Sequence, residues 1–304
     1  MTTYAYLGPS GTFTEAALRS ITQANDHLSP YANVTAALNA VRSGQCERAL
    51  VPIENSVEGV VARTLDELAI GEPLVVLGET TLSVSFSLMT KSGNRVIKSI
   101  ATHPHAEAQC RTFIAKNYPD ADIVETSSTA AAAQGFVDAR FDAAIAAPFA
   151  AEQYSLEQVA KNIGDNDGAV TRFVLVGKPG AIPNFTGHDR TTLALFIGAD
   201  HAGALLEILT EFAVRGVNLT FIQSRPTGKE LGSYHFIIDI EGHVTEERVG
   251  DALMGLRRIC EDVRFLGSYP REDKVAPTTP QATSNAAFKD AAAWLADVRQ
   301  GRKI

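Results

Sequence analysis

The sequence predicts an α/β protein followed by a smaller α+β module. Over about the first 180 residues, short apolar runs alternate with turns rich in Ser, Thr, Gly or Pro and then with helical spacing. From about residue 190 to about residue 270 the order becomes strand, helix, strand, strand, helix, strand, the split ferredoxin-like βαββαβ arrangement. Lys178-Pro179-Gly180 and the polar turn around Gly187 mark the change between the two.

Tyr4-Ala5-Tyr6-Leu7 leads into Gly8-Pro9-Ser10-Gly11, and a helix is expected from near Thr12, where Thr12 and Glu15 have capping-box spacing. Ala49-Leu50-Val51 leads into Pro52-Ile53-Glu54-Asn55-Ser56, and Val57, Val60, Val61, Thr64, Leu65 and Leu68 then recur at helical spacing. Ser99-Ile100-Ala101 leads into Thr102-His103-Pro104, with Thr102 suited to cap and Pro104 to the first helical turn. Ile123-Val124 runs into Ser127-Ser128-Thr129 and an alanine-rich helix, and Ala143-Ala144-Ile145 into Pro148 and another. Such alternation implies parallel sheets covered by helices. A second strand set begins at Thr81, where Leu82, Val84, Phe86 and Leu88 alternate with other residues. Two lobes are therefore expected, with crossings near Gly78 and Gly164: about 1–78 plus 165–182, and about 79–164.

The later module reads as strands over Thr191–Ala199, Leu219–Ser224, Ser233–Ile240 and Val263–Leu266, with a turn at Gly228–Gly232. Helices are marked by Leu205, Leu206, Leu209, Phe212 and Ala213, ending at Gly216, and by Val249, Ala252, Leu253 and Leu256. Beyond it, 271–304 starts as a Pro/Thr-rich extended linker, and Phe288–Arg302 could form a short helix.

At 304 residues the chain has room for two or so domains, and its apolar fraction of 45% is ordinary for a globular protein. A formal net charge of −8 argues against nucleic acid or an anionic membrane as the main partner. No apolar run approaches the ~20 residues of a membrane span, and the N-terminus lacks the pattern of a secretory signal. Cys46, Cys110 and Cys260 are scattered and without metal-ligand spacing, so no metal is expected and a reducing, cytoplasmic setting is.

In open α/β sheets ligands sit beyond the carboxyl ends of the strands. Those ends carry Thr12, Asn55, Ser56, Thr102, Ser128 and Thr129. Each hydroxyl alone reads as a cap, but together they describe a cleft for a polar, negatively charged small molecule. Thr171-Arg172-Phe173 precedes the apolar run Val174-Leu175-Val176 and would stand at the return crossing between lobes. No Gly-rich dinucleotide fingerprint and no phosphate loop is present.

The segments GPSGTFTEAA at 8–17, VPIENSVEG at 51–59, THPHAEAQC at 102–110, STAAAA at 128–133 and TRF at 171–173 resemble, in order and spacing, the prephenate dehydratases. The module at 190–270 resembles an ACT regulatory domain, with Gly203-Ala204-Leu205 at its glycine-containing helix start and Gln223-Ser224-Arg225-Pro226 where the family usually has Glu-Ser-Arg-Pro. The resemblance implies a two-lobed, periplasmic-binding-protein-like α/β catalytic domain over 1–182 and an ACT domain. It implies that prephenate is decarboxylated and dehydrated to phenylpyruvate, a step toward phenylalanine, without metal or organic cofactor. Because the chain opens directly at the first motif, no fused mutase or dehydrogenase domain is expected.

Family roles fall on Thr171 as the central hydroxyl, with Arg172 and Phe173 completing its motif, and on Asn55, Thr102 and Gln109. Ala169 stands where many members have asparagine. Thr171 is expected to donate to the departing oxygen and Arg172 to hold the retained carboxylate, with Asn55, Thr102 and Gln109 as neutral donors. Thr12, Ser56, Ser128, Thr129 and Phe173 are the expected substrate contacts. His103 and His105 stand between an acid role and a plain place at a helix start. Phenylalanine is the implied effector, bound between paired modules near Gly203, Ala204, Leu205, Asn218, Leu219 and Gln223 through Pro226. A dimer through this module is the minimum assembly and a tetramer the family's suggestion. Two alternatives stay open: a dehydratase of arogenate, and a non-catalytic amino-acid sensor.

Overall fold

The computed structural model describes residues 1–91, 96–138, 141–198, 201–228 and 234–302. The chain folds as two units, Met1–Thr64 with Thr80–Gly177, and Leu65–Glu79 with Lys178–Ile304.

The first sheet begins with β1 (Thr3–Leu7), α1 (Phe13–Ile21), β2 (His27–Tyr31), α2 (Val34–Ser43) and β3 (Arg48–Asn55). Thr12 caps α1 as its spacing predicts, its hydroxyl oxygen accepting from the Glu15 amide at 3.3 Å. The returning half of the box goes one residue further back: Glu15 Oε2 accepts from the Gly11 amide at 2.8 Å. After β3 come β4 (Gly59–Val60), α3 (Ala62–Ile70) and β5 (Val75–Ser83). The helical spacing from Val57 is overridden at its start. Asn55 Oδ1 accepts from the Val57 and Glu58 amides at 2.8 and 2.9 Å, and Gly59 turns with φ +80°. This Asx turn folds β4 back onto β3 and delays the helix to Ala62.

The second sheet comprises β6 (Ser87–Thr90), β7 (Ser99–Thr102), β8 (Asp122–Glu125), β9 (Ala143–Ala146) and β10 (Glu157–Ala160). Its helices are α4 (Pro104–Gln109), α5 (Arg111–Asn117), α6 (Thr129–Gln134) and α7 (Pro148–Gln153). The chain returns to the first sheet as β11 (Val170–Gly177). Strand orders are β2-β1-β3-β11-β5 and β10-β6-β9-β7-β8. The expectation of parallel sheets needs correction: β11 runs antiparallel to β3, and β6 antiparallel to both β9 and β10. Strands that return from another sheet need no helical crossover, so they are free to pair antiparallel. Tyr4, Tyr6, Leu18, Leu50 and Phe173 form a core on the first sheet. Phe86, Leu88, Ile100, Cys110 and Ile145 form one on the second.

The second unit contains β12 (Asp189–Phe196), α8 (Ala204–Ala213), β13 (Leu219–Pro226), β14 (Tyr234–Glu241), α9 (Glu247–Ile259), β15 (Asp262–Pro270) and α10 (Asn285–Arg299). The sheet order β13-β14-β12-β15, antiparallel throughout, is the ferredoxin-like one. Leu193, Leu195, Ile208, Phe212, Ile238, Val249 and Leu256 fill the space between this sheet and its helices. Ala199, Ser233 and the predicted turn at 229–232 lie outside the described residues. No residue of α10 is buried, and the Asn285 side chain ties its start to α9 by accepting from the Glu247 amide at 2.9 Å.

His235 on β14 is fully buried, stacks on Phe196 with ring centroids 5.0 Å apart, and among the described residues neither ring nitrogen has a hydrogen-bond partner. Burial holds its pKa below the usual histidine value. The unfolded chain therefore takes up a proton that the folded chain refuses. The associated stability is present above about pH 6.5 and is lost as pH falls toward the depressed folded value. His235→Phe keeps the stack and removes the polar atoms, so its midpoint of thermal unfolding should fall less than the wild type's between about pH 7.5 and about pH 5.5. Equal shifts would contradict this.

Candidate active site

β3 and β11 bring Asn55 and Thr171 face to face in register. The two backbone amides of the Asx turn occupy Asn55 Oδ1, which fixes the orientation of the side-chain amide. Its Nδ2 then donates to Thr171 Oγ1 at 2.8 Å. With a lone pair so engaged, the Thr171 hydroxyl keeps its own proton for a partner in the cavity it lines.

That cavity, of about 260 Å³, has an apolar side and a polar side. Phe13, Val84, Phe86 and Ala106 make the apolar side, with the Phe13 and Phe86 rings edge to face at 5.7 Å. The polar side holds Asn55, Thr171, His103, His105 and Gln109, together with Ser127, Ser128 and Thr129 at the start of α6. Ser128 caps that helix by accepting from the Ala131 amide at 3.0 Å, which leaves its O–H to donate. Gln109 Nε2 donates to Glu58 Oε1 at 3.0 Å, and the other Glu58 oxygen lies 3.3 Å from His105 Nδ1. His103, not the expected Thr102, caps α4: its Nδ1 accepts from the His105 amide at 3.3 Å. Burial, with His105 adding to it, pushes the His103 pKa down.

The structure thus brings Thr171, Asn55, Gln109, Ser128 and Thr129 to one cavity, and leaves five expected residues outside its lining. Thr102 is fully buried and donates to the Ile145 carbonyl at 2.9 Å. Thr12 donates to the Leu7 carbonyl at 3.0 Å while capping α1. Ser56 Oγ accepts from the Val170 amide at 2.9 Å and so pins the start of β11. Arg172, one step along β11, is turned away by the alternation of the strand and lies 3.9 Å from Glu54. Phe173 follows a register shift and sits in the core, 1% exposed. Phe13, Phe86 and Glu58 had no signal in a strand-end reading, because their part depends on which helix and turn face which strand.

In the second unit, Gly203, Ala204, Leu205 and Ser224 line a cavity of about 240 Å³ with His201, Tyr234 and Phe236. Gly203 starts α8 at φ +97°, a conformation that favours glycine. The other expected effector contacts lie outside this lining. Arg225 is held bidentate by Asp66 at 2.9 and 2.8 Å, and Gln223 Nε2 donates to the Ser224 carbonyl at 2.9 Å. Asn218 is exposed, Leu219 packs on the domain core, and Pro226 is exposed at the end of β13. Among the described residues no cluster of His, Cys, Asp or Glu could hold a metal ion, and no helix is long and apolar enough to cross a membrane.

The family model described as prephenate dehydratase matches residues 4–181, and that of the ACT domain matches 192–258. The chain belongs to the prephenate dehydratase family. A relative from Amycolatopsis methanolica named prephenate dehydratase is 47% identical over the full length of both chains. The crystal structure of prephenate dehydratase from Arthrobacter aurescens in complex with L-Phe is similar, with a TM-score of 0.93, 51% identity, and 98% of this chain and 99% of that one covered. A protein described as GqqA, a novel type of quorum quenching acylase, is also similar in fold, with a TM-score of 0.79, 29% identity, and 89% and 98% covered.

Proposed function

We propose that this family member converts prephenate to carbon dioxide, water and phenylpyruvate, and that phenylalanine regulates it through the ACT domain. The carrying observation is the Asn55–Thr171 hydrogen bond, in which the Thr171 oxygen accepts, so that this cavity-lining hydroxyl keeps its own proton to donate. The electrons of the bond to the departing carboxyl group flow into the ring, and the C–O bond to the ring hydroxyl breaks as the ring becomes aromatic. An alcohol is too weak an acid to be the proton source, so Thr171 acts as a placed donor to the leaving oxygen.

Arg172 does not line the cavity, so the retained carboxylate is assigned to the neutral donors Gln109, Ser128 and Thr129. The Phe13 and Phe86 rings offer a surface against which a six-membered ring can stack as it becomes flat. Residues 1–182 carry the catalysis, 190–270 the regulation, and 271–304 form a tail. The cavity at Gly203 suits the effector, and β13, an edge strand among the described residues, suits pairing with a second copy. The working assembly is a dimer at least and a tetramer in the manner of the family, in the cytoplasm.

The test is to incubate purified chain with prephenate or arogenate and follow phenylpyruvate or phenylalanine. Phenylpyruvate from prephenate, reduced by added phenylalanine with a coupling of about 1–3 kcal/mol, is expected. Phenylalanine formed from arogenate alone identifies the arogenate enzyme, and ligand binding without turnover identifies a sensor. This assay also separates the dehydratase reading from other activities carried on the same fold.

A further inference from the structure

Resting on that reading, we propose that His105, held by Glu58 at the cavity that Thr171 lines, is the proton source for the departing hydroxide. Two histidines line the cavity, and their surroundings differ. His103 spends its Nδ1 lone pair on the His105 amide at the start of α4, so protonating that nitrogen breaks the cap. Its burial opposes a charge as well. His105 has no such tie. Its Nδ1 faces Glu58 Oε2 at 3.3 Å, and its side chain is 64% exposed, so it can recharge from solvent.

A carboxylate beside a cavity for a dianion repels that substrate unless a cation neutralises it. Gln109, which accepts no charge, donates to Glu58 Oε1, and His105 is the group on the other oxygen. Glu58 from the turn after β3 lies against His105 Nδ1 and the His103 ring packs edge-on against the His105 ring, while Glu58 and Glu125 at the end of β8 both act on His103.

The carbon–carbon bond to the departing carboxylate breaks, carbon dioxide leaves, and its electron pair completes the aromatic ring. The ring C–O bond breaks, its pair stays on oxygen, and the imidazolium proton of His105 turns the hydroxide into water. Neutral His105 then takes a proton from solvent. Thr171 donates to the same oxygen and lowers the charge that has to build on it before the proton arrives.

The experiment is the pH profile of kcat/KM for prephenate in wild type and in the His105→Gln, Glu58→Gln and His103→Gln variants, with ring-proton NMR spectra of His105 in resting wild type and Glu58→Gln. A proton donated in the chemical step makes the wild-type profile decline toward alkaline pH. His105→Gln should lower kcat about 100-fold and abolish that decline. Glu58→Gln, which removes the carboxylate at His105 Nδ1, should lower kcat and change the His105 ring signals, and His103→Gln should keep the decline. An unchanged alkaline decline in His105→Gln overturns the proposal, and unchanged His105 ring signals in Glu58→Gln overturn the pairing with Glu58. A wild-type chain that forms no phenylpyruvate overturns the dehydratase reading instead, and the NMR comparison still judges the pairing.

Discussion

Thr171→Val should lower kcat for phenylpyruvate formation by about 100- to 1,000-fold while leaving KM within a few-fold. Valine keeps the β-branched shape that β11 favours, so the strand and its pairing with β3 survive. What disappears is the O–H of this cavity-lining residue, together with the acceptor for Asn55 Nδ2. A donor needed only as charge builds on the leaving oxygen affects the chemical step, not ground-state binding. Thr171→Ser, which restores a hydroxyl without the methyl group, should recover a large part of the loss. Steady-state kinetics on the three proteins decides it, and wild-type kcat in Thr171→Val would remove the mechanism.

Arg248→Ala should destabilise the ferredoxin-like domain by about 3–5 kcal/mol. Arg248 has a side chain 1% exposed on α9, and its Nε donates to Glu246 Oε2 at 3.0 Å. It also donates to the Gly216 carbonyl at 3.1 Å, and Glu246 Oε1 accepts from the His243 amide at 2.7 Å. Truncation leaves a buried carboxylate without its cation and empties space that the arginine stem fills. The double variant Arg248→Met/Glu246→Gln, which removes both charges, should cost less than Arg248→Ala alone. Denaturant unfolding of each variant measures the difference, and a loss below 1 kcal/mol for Arg248→Ala would falsify the account.

Much of the fold is legible because its signals are local. The Thr12/Glu15 spacing caps α1, Pro104 sits in the first turn of α4, and Gly203 starts α8 in the left-handed region. The strand–helix order over 190–270 identifies the βαββαβ module, since alternation and helical spacing are carried by neighbouring residues. The errors lie where a side chain had a local choice of partner. Asn55 reads as a strand end followed by a helix, but its carbonyl takes two backbone amides and makes a hairpin instead.

For the site, the residue types at the strand ends and the motifs that mark the family are carried by short stretches of chain. They include Thr171, Asn55, Gln109, Ser128 and Thr129, which the structure places around one cavity. What each hydroxyl and charge is engaged with depends on how distant segments come together. Thr12, Ser56 and Thr102 carry the same chemical group as Thr171, but theirs are spent on Leu7, Val170 and Ile145. Arg172 is one residue from Thr171 and faces Glu54 because consecutive side chains on a strand point to opposite sides. The reason is physical: a hydrogen bond is directional and reaches about 3 Å, so its partner is set by which strand lies alongside, and sequence spacing does not encode that.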